Sequence, residues 1–440
     1  MKHASFPTLS NRQPAVARKS TAIFMNWKSL TAILLTLTSF CLAQDSTSSD
    51  SETIRQLVLE VKELQQEVQI LKAKEQTPGA EPIDANVTSS APEQAPPQET
   101  LPNMHDVHGI QWRGFGEVDY KVLNQNKPEL GTYGFVPGSA GNFYTGDFDL
   151  LLTSQLTDKL GVLSEIVFGE QDAQTFDVDL ERILLKYDLS DHFKFSFGRY
   201  HTAIGYYNME FNSAAWTQTT ADRPLIMEFA NYGGPLPTQA VGGSVTGEIP
   251  TGKLGLNYTF EYGSSDTVRP DLNGISTLDE NNGNHVNAGW FVRPAFVSGL
   301  QVGNSFYHDQ ISDFLRGPNV RLGQTIINAH VVYVTHRTEF LNEGFVIRHA
   351  YCQLPVIYNM PAFYTQISHR FGHVRPYFRY QYINANPGSI LRDIRLRRGP
   401  SFGARYDFNE FIGFKAQFDQ TLRKDQPDLD GAHFQLVFTF

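Results

Sequence analysis

Cysteine is nearly absent from this 440-residue chain, which has only Cys41 and Cys352. Cys41 falls in a leader-like stretch, so the remainder supports neither a disulfide framework nor a cysteine-based zinc site. Beyond that leader no apolar run approaches the ~20 residues a membrane-crossing helix needs, which excludes a helical membrane bundle. Positive charge is short as well. The formal charge is -10 and no basic tract accompanies a nucleic-acid motif, so nucleic acid is not expected as a partner. Tryptophan is scarce at 4 residues, yet 32 Phe, 19 Tyr and 35 Gly together lean towards β structure. No G-x-S-x-G segment occurs. The pairs His105/His108 and His369/His373 lack a carboxylate or cysteine at metal-ligand spacing. No catalytic residue, metal ligand or cofactor site is therefore assigned, and the chain is read as a non-enzyme.

What is present begins with a leader. Lys2, Arg12, Arg18 and Lys19 precede the apolar run Leu30 to Leu37, and Cys41-Leu42-Ala43 offers small residues where a signal peptidase needs them. Residues 1–43 are read as a signal peptide cleaved after Ala43, with Met25 as an alternative start. Cys41 as a lipid-attachment cysteine fits poorly behind Phe40. In residues 44–75, Ile54, Leu57, Val61, Leu64, Val68 and Leu71 fall on heptad a and d positions. Glu60 and Glu67 at g with Gln65 and Lys72 at e suit a short coiled-coil helix that associates with its own copies. An amphipathic helix lying on its own barrel is the alternative. Residues 76–103, with six prolines among Glu, Gln, Ser and Ala, read as an extended linker.

From residue 104 to 440 the chain settles into alternation. Leu254, Leu256, Tyr258, Phe260 and Tyr262 stand against Asn257, Thr259 and Glu261. Trp112, Val118, Tyr120 and Val122 stand against Gln111, Arg113, Glu117, Asp119 and Lys121. The chain stops on one more such segment, with Phe434, Leu436, Phe438 and Phe440 alternating with His433, Gln435 and Thr439. A terminal strand with a greasy face and no covering helix to follow needs an apolar solvent. Lipid is that solvent in this reading.

Sixteen such strands are expected, near 110–122, 144–156, 160–169, 175–188, 192–199, 239–249, 253–263, 285–293, 299–308, 325–334, 338–347, 361–370, 374–383, 399–408, 411–420 and 431–440. The links alternate between tight turns such as His336-Arg337 and longer loops, the plan of an outer-membrane barrel. The fold class is thus all-β: a sixteen-stranded antiparallel transmembrane β-barrel with a short N-terminal coiled-coil helix. Two strands resist the pattern. The phase of 175–188 slips near Glu181-Arg182, which a bulge would explain, and 338–347 does not say which face meets lipid.

The link from Tyr200 to Thr238 is the longest and too polar for lipid. Tucked into the barrel it would narrow a channel; left outside it would be a lid or partner-binding loop. Selectivity in a wide pore comes from charges at its narrowest point. The candidates are Arg199, Glu210, Asp222, Arg223 and Glu228 on or beside this loop, with Arg113, Arg379 and Arg405 on the facing wall. For each, pairing that simply pins the loop is the competing role. The run Arg392, Arg395, Arg397 and Arg398 suits either an anion funnel or contact with lipid phosphates.

The strand count, the segment FGRYHTAIGYYN at 197–208 entering a long third loop, the strand VRPYFRYQY at 374–382 and the terminal Phe440 resemble the phosphate-selective porin O and P family. The resemblance covers about 104–440. It implies a homotrimeric channel in the bacterial outer membrane, with the third loop folded inward, that passes small hydrophilic solutes and ions, anions such as phosphate among them. It also implies that Phe440 is read by the barrel-assembly machinery. In place of that family's ladder of basic residues, Arg113, Lys194, Arg199, Arg375, Arg379, Arg405 and Lys415 are interleaved here with Glu117, Asp119, Asp147, Asp149, Glu165, Glu261 and Asp419. Two other classes stay open: a barrel enzyme hydrolysing lipid or peptide, and a tether whose helix at 52–75 grips the cell wall.

Overall fold

The computed structural model describes residues 109–440 except 125–140, 173–174, 212–213, 230–233, 266, 270–273, 277–283, 314–315 and 318–319. The expected signal peptide, coiled coil and linker lie outside the described residues.

The first seven strands are β1 (Ile110–Leu123), β2 (Asn142–Gln155), β3 (Leu160–Asp172), β4 (Thr175–Ser190), β5 (Phe193–His201), β6 (Gln239–Ile249) and β7 (Leu256–Ser265). A small hairpin, β8 (Thr267–Arg269) with β9 (Gly274–Ser276), stands apart from the barrel. Then follow β10 (His285–Val292), β11 (Leu300–Ser312), β12 (Arg321–Val334), β13 (Thr338–Tyr351), β14 (Ile357–His369), β15 (Val374–Asn384), β16 (Leu396–Asp407), β17 (Ile412–Arg423) and β18 (Leu429–Thr439). Apart from the hairpin these form a closed antiparallel barrel of sixteen strands in which β1 pairs with β2 on one side and β18 on the other. Closure leaves no unpaired strand edge, a condition that lipid imposes because it offers no hydrogen bonds.

The alternation read from the sequence sorts the side chains. Phe260 and Tyr262 point outward and are about half exposed, whereas Thr259 and Glu261 between them are buried inside. Outward-facing aromatics also seal the joint between the two ends of the barrel. The N–H of Gly114 donates to the carbonyl of Phe440 at 2.9 Å, and the N–H of Phe440 returns a bond to Gly114 at 3.0 Å. The Phe440 ring covers Gly114, where a Cβ would lie 2.4 Å from it, and the Phe438 ring covers Gly116 at 2.5 Å. Glycine at these positions lets the rings lie flat on the strand, the arrangement by which aromatic side chains compensate for glycine in a sheet.

The phase slip in β4 is a bulge. Glu165 pairs with Arg182 while Ile166 pairs with Leu180, so Glu181 is the extra residue. Glu181 and Arg182 are consequently both buried. The second ambiguous strand, β13, carries Leu341, Phe345 and Ile347 on its inner face, all nearly inaccessible, alternating there with the buried Glu339, Glu343 and His349. The three apolar residues join one buried cluster with Ile204, Tyr206, Tyr207, Phe211, Ile226, Met227 and Leu236 of the loop after β5. Both faces of β13 mix apolar and polar residues, because its inner face packs on and hydrogen-bonds to this loop instead of facing water.

Several links between strands are shorter than the sequence suggests. β13 runs on to Tyr351 with β14 starting at Ile357, and β17 runs on to Arg423 with β18 starting at Leu429. The pairing ladder continues past the lipid-facing alternation, because backbone pairing remains favourable wherever two strands stay adjacent.

Candidate functional site

The loop from Thr202 to Thr238, between β5 and β6, lies inside the barrel. It begins with a turn at Gly205 (φ 87) and a single helical turn, Tyr206–Glu210. A positive φ at Gly205 is a conformation glycine adopts without strain. There a Cβ would also fall 2.5 Å from the Glu343 carboxylate. The helical turn leaves its first N–H groups without internal partners, and the buried Glu343 of β13 takes them. It accepts from the N–H of Tyr206 at 2.7 Å, from the N–H of Tyr207 at 2.9 Å and from the Tyr364 hydroxyl at 2.5 Å. Glu261 of β7 performs the same task for the N–H of Ala203, at 2.9 and 3.0 Å to its two oxygens. Two wall carboxylates thus anchor the start of the loop through backbone donors, so the side chains of these loop residues remain available for packing.

The middle of the loop is held by cations on the opposite strands. Arg379 of β15 donates to the Thr220 hydroxyl at 3.2 Å and to the Asp222 carbonyl at 2.8 Å. Arg405 of β16 donates to the carbonyls of Trp216 at 2.7 Å and Gln218 at 2.9 Å, stacks over the Trp216 ring and pairs with Asp407 at 2.7 Å. Lys415 of β17 donates to the carbonyls of Ala215 at 2.7 Å and Thr220 at 2.9 Å. Arg375 reaches the Thr219 hydroxyl at 3.3 Å. Arg379 and Lys415 are 1% and 0% exposed. Arg379 Nε has no partner among the described residues, but at this burial neither cation meets a solute in the lumen directly.

Asp222 is the hub of the loop's polar end. Its Oδ1 accepts from Lys121 Nζ at 3.1 Å and lies 3.1 Å from His433 Nδ1, and its Oδ2 accepts from Gln417 Nε2 at 3.0 Å. The other His433 nitrogen lies 2.6 Å from Asp119, so an imidazole donating from both nitrogens satisfies both carboxylates. Burial alone would raise the Asp222 carboxyl, but Lys121 and His433 outweigh it and hold that group well below the usual carboxylate range. Gln417 Nε2 also donates to Asp419, at 2.9 and 3.1 Å, which brings a second carboxylate to the same donor. Glu228, further along the loop, is pushed up to about 6, first by burial, with Arg223 opposing the rise.

The remaining residues singled out in the sequence are dispersed. Arg223 folds back on its own loop, donating to the Met227 carbonyl at 2.9 Å and lying over the Tyr207 and Phe229 rings. Glu210 pairs with Arg293 at 2.7 Å, beside the end of β10. Arg199 meets Asp179 at 3.6 Å and hydrogen-bonds Gln239. Arg113 donates to Thr439 at 3.1 Å near the start of β1 and shares no described bond with the loop. Of the outer arginine run, Arg395 pairs with Asp425. Asp222, Arg379 and Arg405 therefore gather on one stretch of the loop, whereas Arg113, Arg199 and Glu210 do not join it. The anchors Glu343, Glu261, Gln417 and Lys121 were missed as site residues. Each occupies an inward position in its strand's alternation, which was the signal available.

No family model matches the chain, and no curated protein matches it. The architecture defines a class all the same: a sixteen-stranded barrel of the kind that outer-membrane channels adopt. Among similar solved structures are an anion-selective porin from Comamonas acidovorans, 10% identical with a TM-score of 0.52 over 76% of this chain and 99% of that one, and the outer membrane channel DcaP of Acinetobacter baumannii, 10% identical with a TM-score of 0.51 over 76% and 98%. Salmonella typhi OmpF is 12% identical, with a TM-score of 0.51 over 76% and 98%. At these identities the likeness is one of fold.

Proposed function

We propose that this protein is an outer-membrane porin, a water-filled channel for passive diffusion of small hydrophilic solutes and ions, narrowed by the loop from Thr202 to Thr238. One observation carries the reading: the loop is fastened inside the barrel by wall side chains from β1, β7, β13, β15, β16, β17 and β18, while charged groups beside it keep access to water. Lys121 and Asp222 retain 26% and 28% of their side-chain exposure. On the side of β11 to β15 the loop packs through apolar contacts. The charged groups that keep such access, Lys121, Asp222 and Arg199 among them, mark the edge of the passage in this reading.

Export through residues 1–43, assembly as a homotrimer, self-association or wall contact through 44–75 and recognition of Phe440 by the assembly machinery complete the proposal. The heptads and the terminal aromatic of the sequence support these parts. Selectivity for phosphate gains no such support, because the basic side chains best placed for it are bonded to the loop. The purified full chain in a planar lipid bilayer is expected to give stepwise increases in ion conductance, and a bilayer that stays silent at high protein load would overturn the channel reading.

A further inference from the structure

The inward positions of the barrel carry basic and acidic residues in similar measure, and both signs anchor the loop, Glu261 and Glu343 as well as the cations. Arg379, Arg405 and Lys415 are turned into the loop and donate to its carbonyls. The carboxylates of Glu117 on β1 and Asp147 on β2, by contrast, make no described bond to that loop. Glu117 accepts the N–H of Asp147 at 3.0 Å, which sets two acidic side chains next to one another, and both keep partial exposure. Asp419 and Asp222 share the Gln417 amide. At physiological ionic strength charges act over about 8 Å, so a permeating ion responds chiefly to the groups it passes closely.

A second observation concerns the cross-strand pair beside that acidic grouping. Asp119 on β1 and Gln435 on β18 are direct cross-strand partners. They are 1% and 2% exposed, yet among the described residues no donor reaches Asp119 Oδ2 or Gln435 Oε1. The Gln435 amide cannot simply be reversed, because its Nε2 donates to Glu117 at 3.2 Å. Buried acceptors left unsatisfied are costly. At 1% and 2% exposure these oxygens are no more open to the lumen than Arg379 and Lys415, so they act on a passing ion through their negative potential and not by contact.

We infer that the passage favours cations, both metal ions and small ammonium compounds, over anions, through the wall formed by Glu117, Asp119, Asp147 and Gln435 opposite Asp222. This inference rests on the channel reading above. Its test is the reversal potential of the full-length protein in a planar bilayer under a steep KCl gradient, followed by the same measurement on the Glu117→Gln, Asp147→Asn double variant. The wild type is expected to reverse on the potassium side, and the variant to reverse closer to zero with its single-channel conductance retained. Conductance steps that reverse at zero or on the chloride side would overturn the cation preference while leaving the channel reading standing. An absence of steps would overturn the channel reading itself. A folded variant that reverses where the wild type does would overturn the assignment to this wall. If the variant does not fold, as judged by loss of its heat-resistant compact form in gels, the wild-type reversal potential alone decides.

Discussion

Glu343 and Tyr207 stand 136 residues apart in the chain, yet the Glu343 carboxylate accepts the Tyr207 backbone N–H at 2.9 Å. That bond joins a barrel strand to the loop crossing the lumen, and Glu343 carries the Tyr206 N–H and the Tyr364 hydroxyl as well. Replacing the carboxylate takes an acceptor from four buried donors, these three and the Asn328 amide at 3.3 Å. Glu343→Ala is expected to destabilise the fold by about 3 kcal/mol, in the range for hydrogen bonds to a charged group. It should also loosen the loop, so single-channel conductance rises and becomes noisier. Denaturant unfolding from lipid vesicles and bilayer recording check the two effects. Unchanged conductance would show that the loop does not gate the lumen through this anchor.

The inside-outside assignment has its own test in β7. Phe260 faces outward and is 47% exposed; an arginine there meets lipid and is expected to cost about 2 to 4 kcal/mol near the bilayer midplane. Asn257 lies three residues earlier on the inward side and is half-buried. Asn257→Arg is expected to leave stability within about 1 kcal/mol and to shift ion preference away from cations. Equal losses of stability in the two variants would contradict the assignment.

The lipid-facing alternation made most of the barrel legible, because lipid demands an apolar side chain at every second position and tolerates little deviation. β6 was expected at 239–249 and is found at Gln239–Ile249. The bulge at Glu181 was visible as a slip in phase, since an inserted residue moves every later side chain to the other face. β13 was illegible for a physical reason. Its inward Leu341, Phe345 and Ile347 pack on Ile226 and its neighbours in the loop, so both its faces look alike in sequence. The site was less readable still. Arginines at 379 and 405 look the same on paper whether they face water or backbone carbonyls, and only the path of the loop decides. Glu343 and Gln417 carry no motif; their role follows from which backbone groups the loop brings to them.

The C-terminal seam gives a prediction about assembly. The Phe440 ring sits 5.8 Å from Trp112 and 6.1 Å from Phe148, in addition to covering Gly114. Aromatic pairs contribute about 0.5–1.5 kcal/mol each beyond burial, so Phe440→Ala is expected to lower stability by about 2 kcal/mol. The barrel should still close, because the backbone bonds between residues 114 and 440 do not depend on the ring. Refolding into detergent or vesicles separates this local effect from recognition in the cell. A variant that refolds fully in vitro but fails to accumulate in cells supports the reading of Phe440 as an assembly signal. Normal accumulation in cells would remove that role.

Acidification should act on the loop in two stages. Glu228 is raised to about 6 by burial, so it is ionised at neutral pH and takes up a proton as the pH falls through that value. Asp222 is held well below the ordinary range against the effect of burial by Lys121 and His433, and it stays charged meanwhile. The stability signs are opposite. For Glu228 the native state binds a proton more readily than the unfolded chain, whose carboxyl titrates near about 4.3. Its contribution is present at low pH and is lost as pH rises through about 6. For Asp222 the contribution is present above about 3.9, the unfolded value, and disappears only as the pH drops through the lower folded value. Between roughly pH 7 and roughly pH 5 the loop should therefore stay in place while Glu228 takes up a proton. Cation preference, read from the reversal potential, is expected to weaken over that interval with little change in conductance. In Glu228→Gln the step near pH 6 should be smaller than in the wild type. A variant that keeps the wild-type step would assign the titration to another group in the lumen.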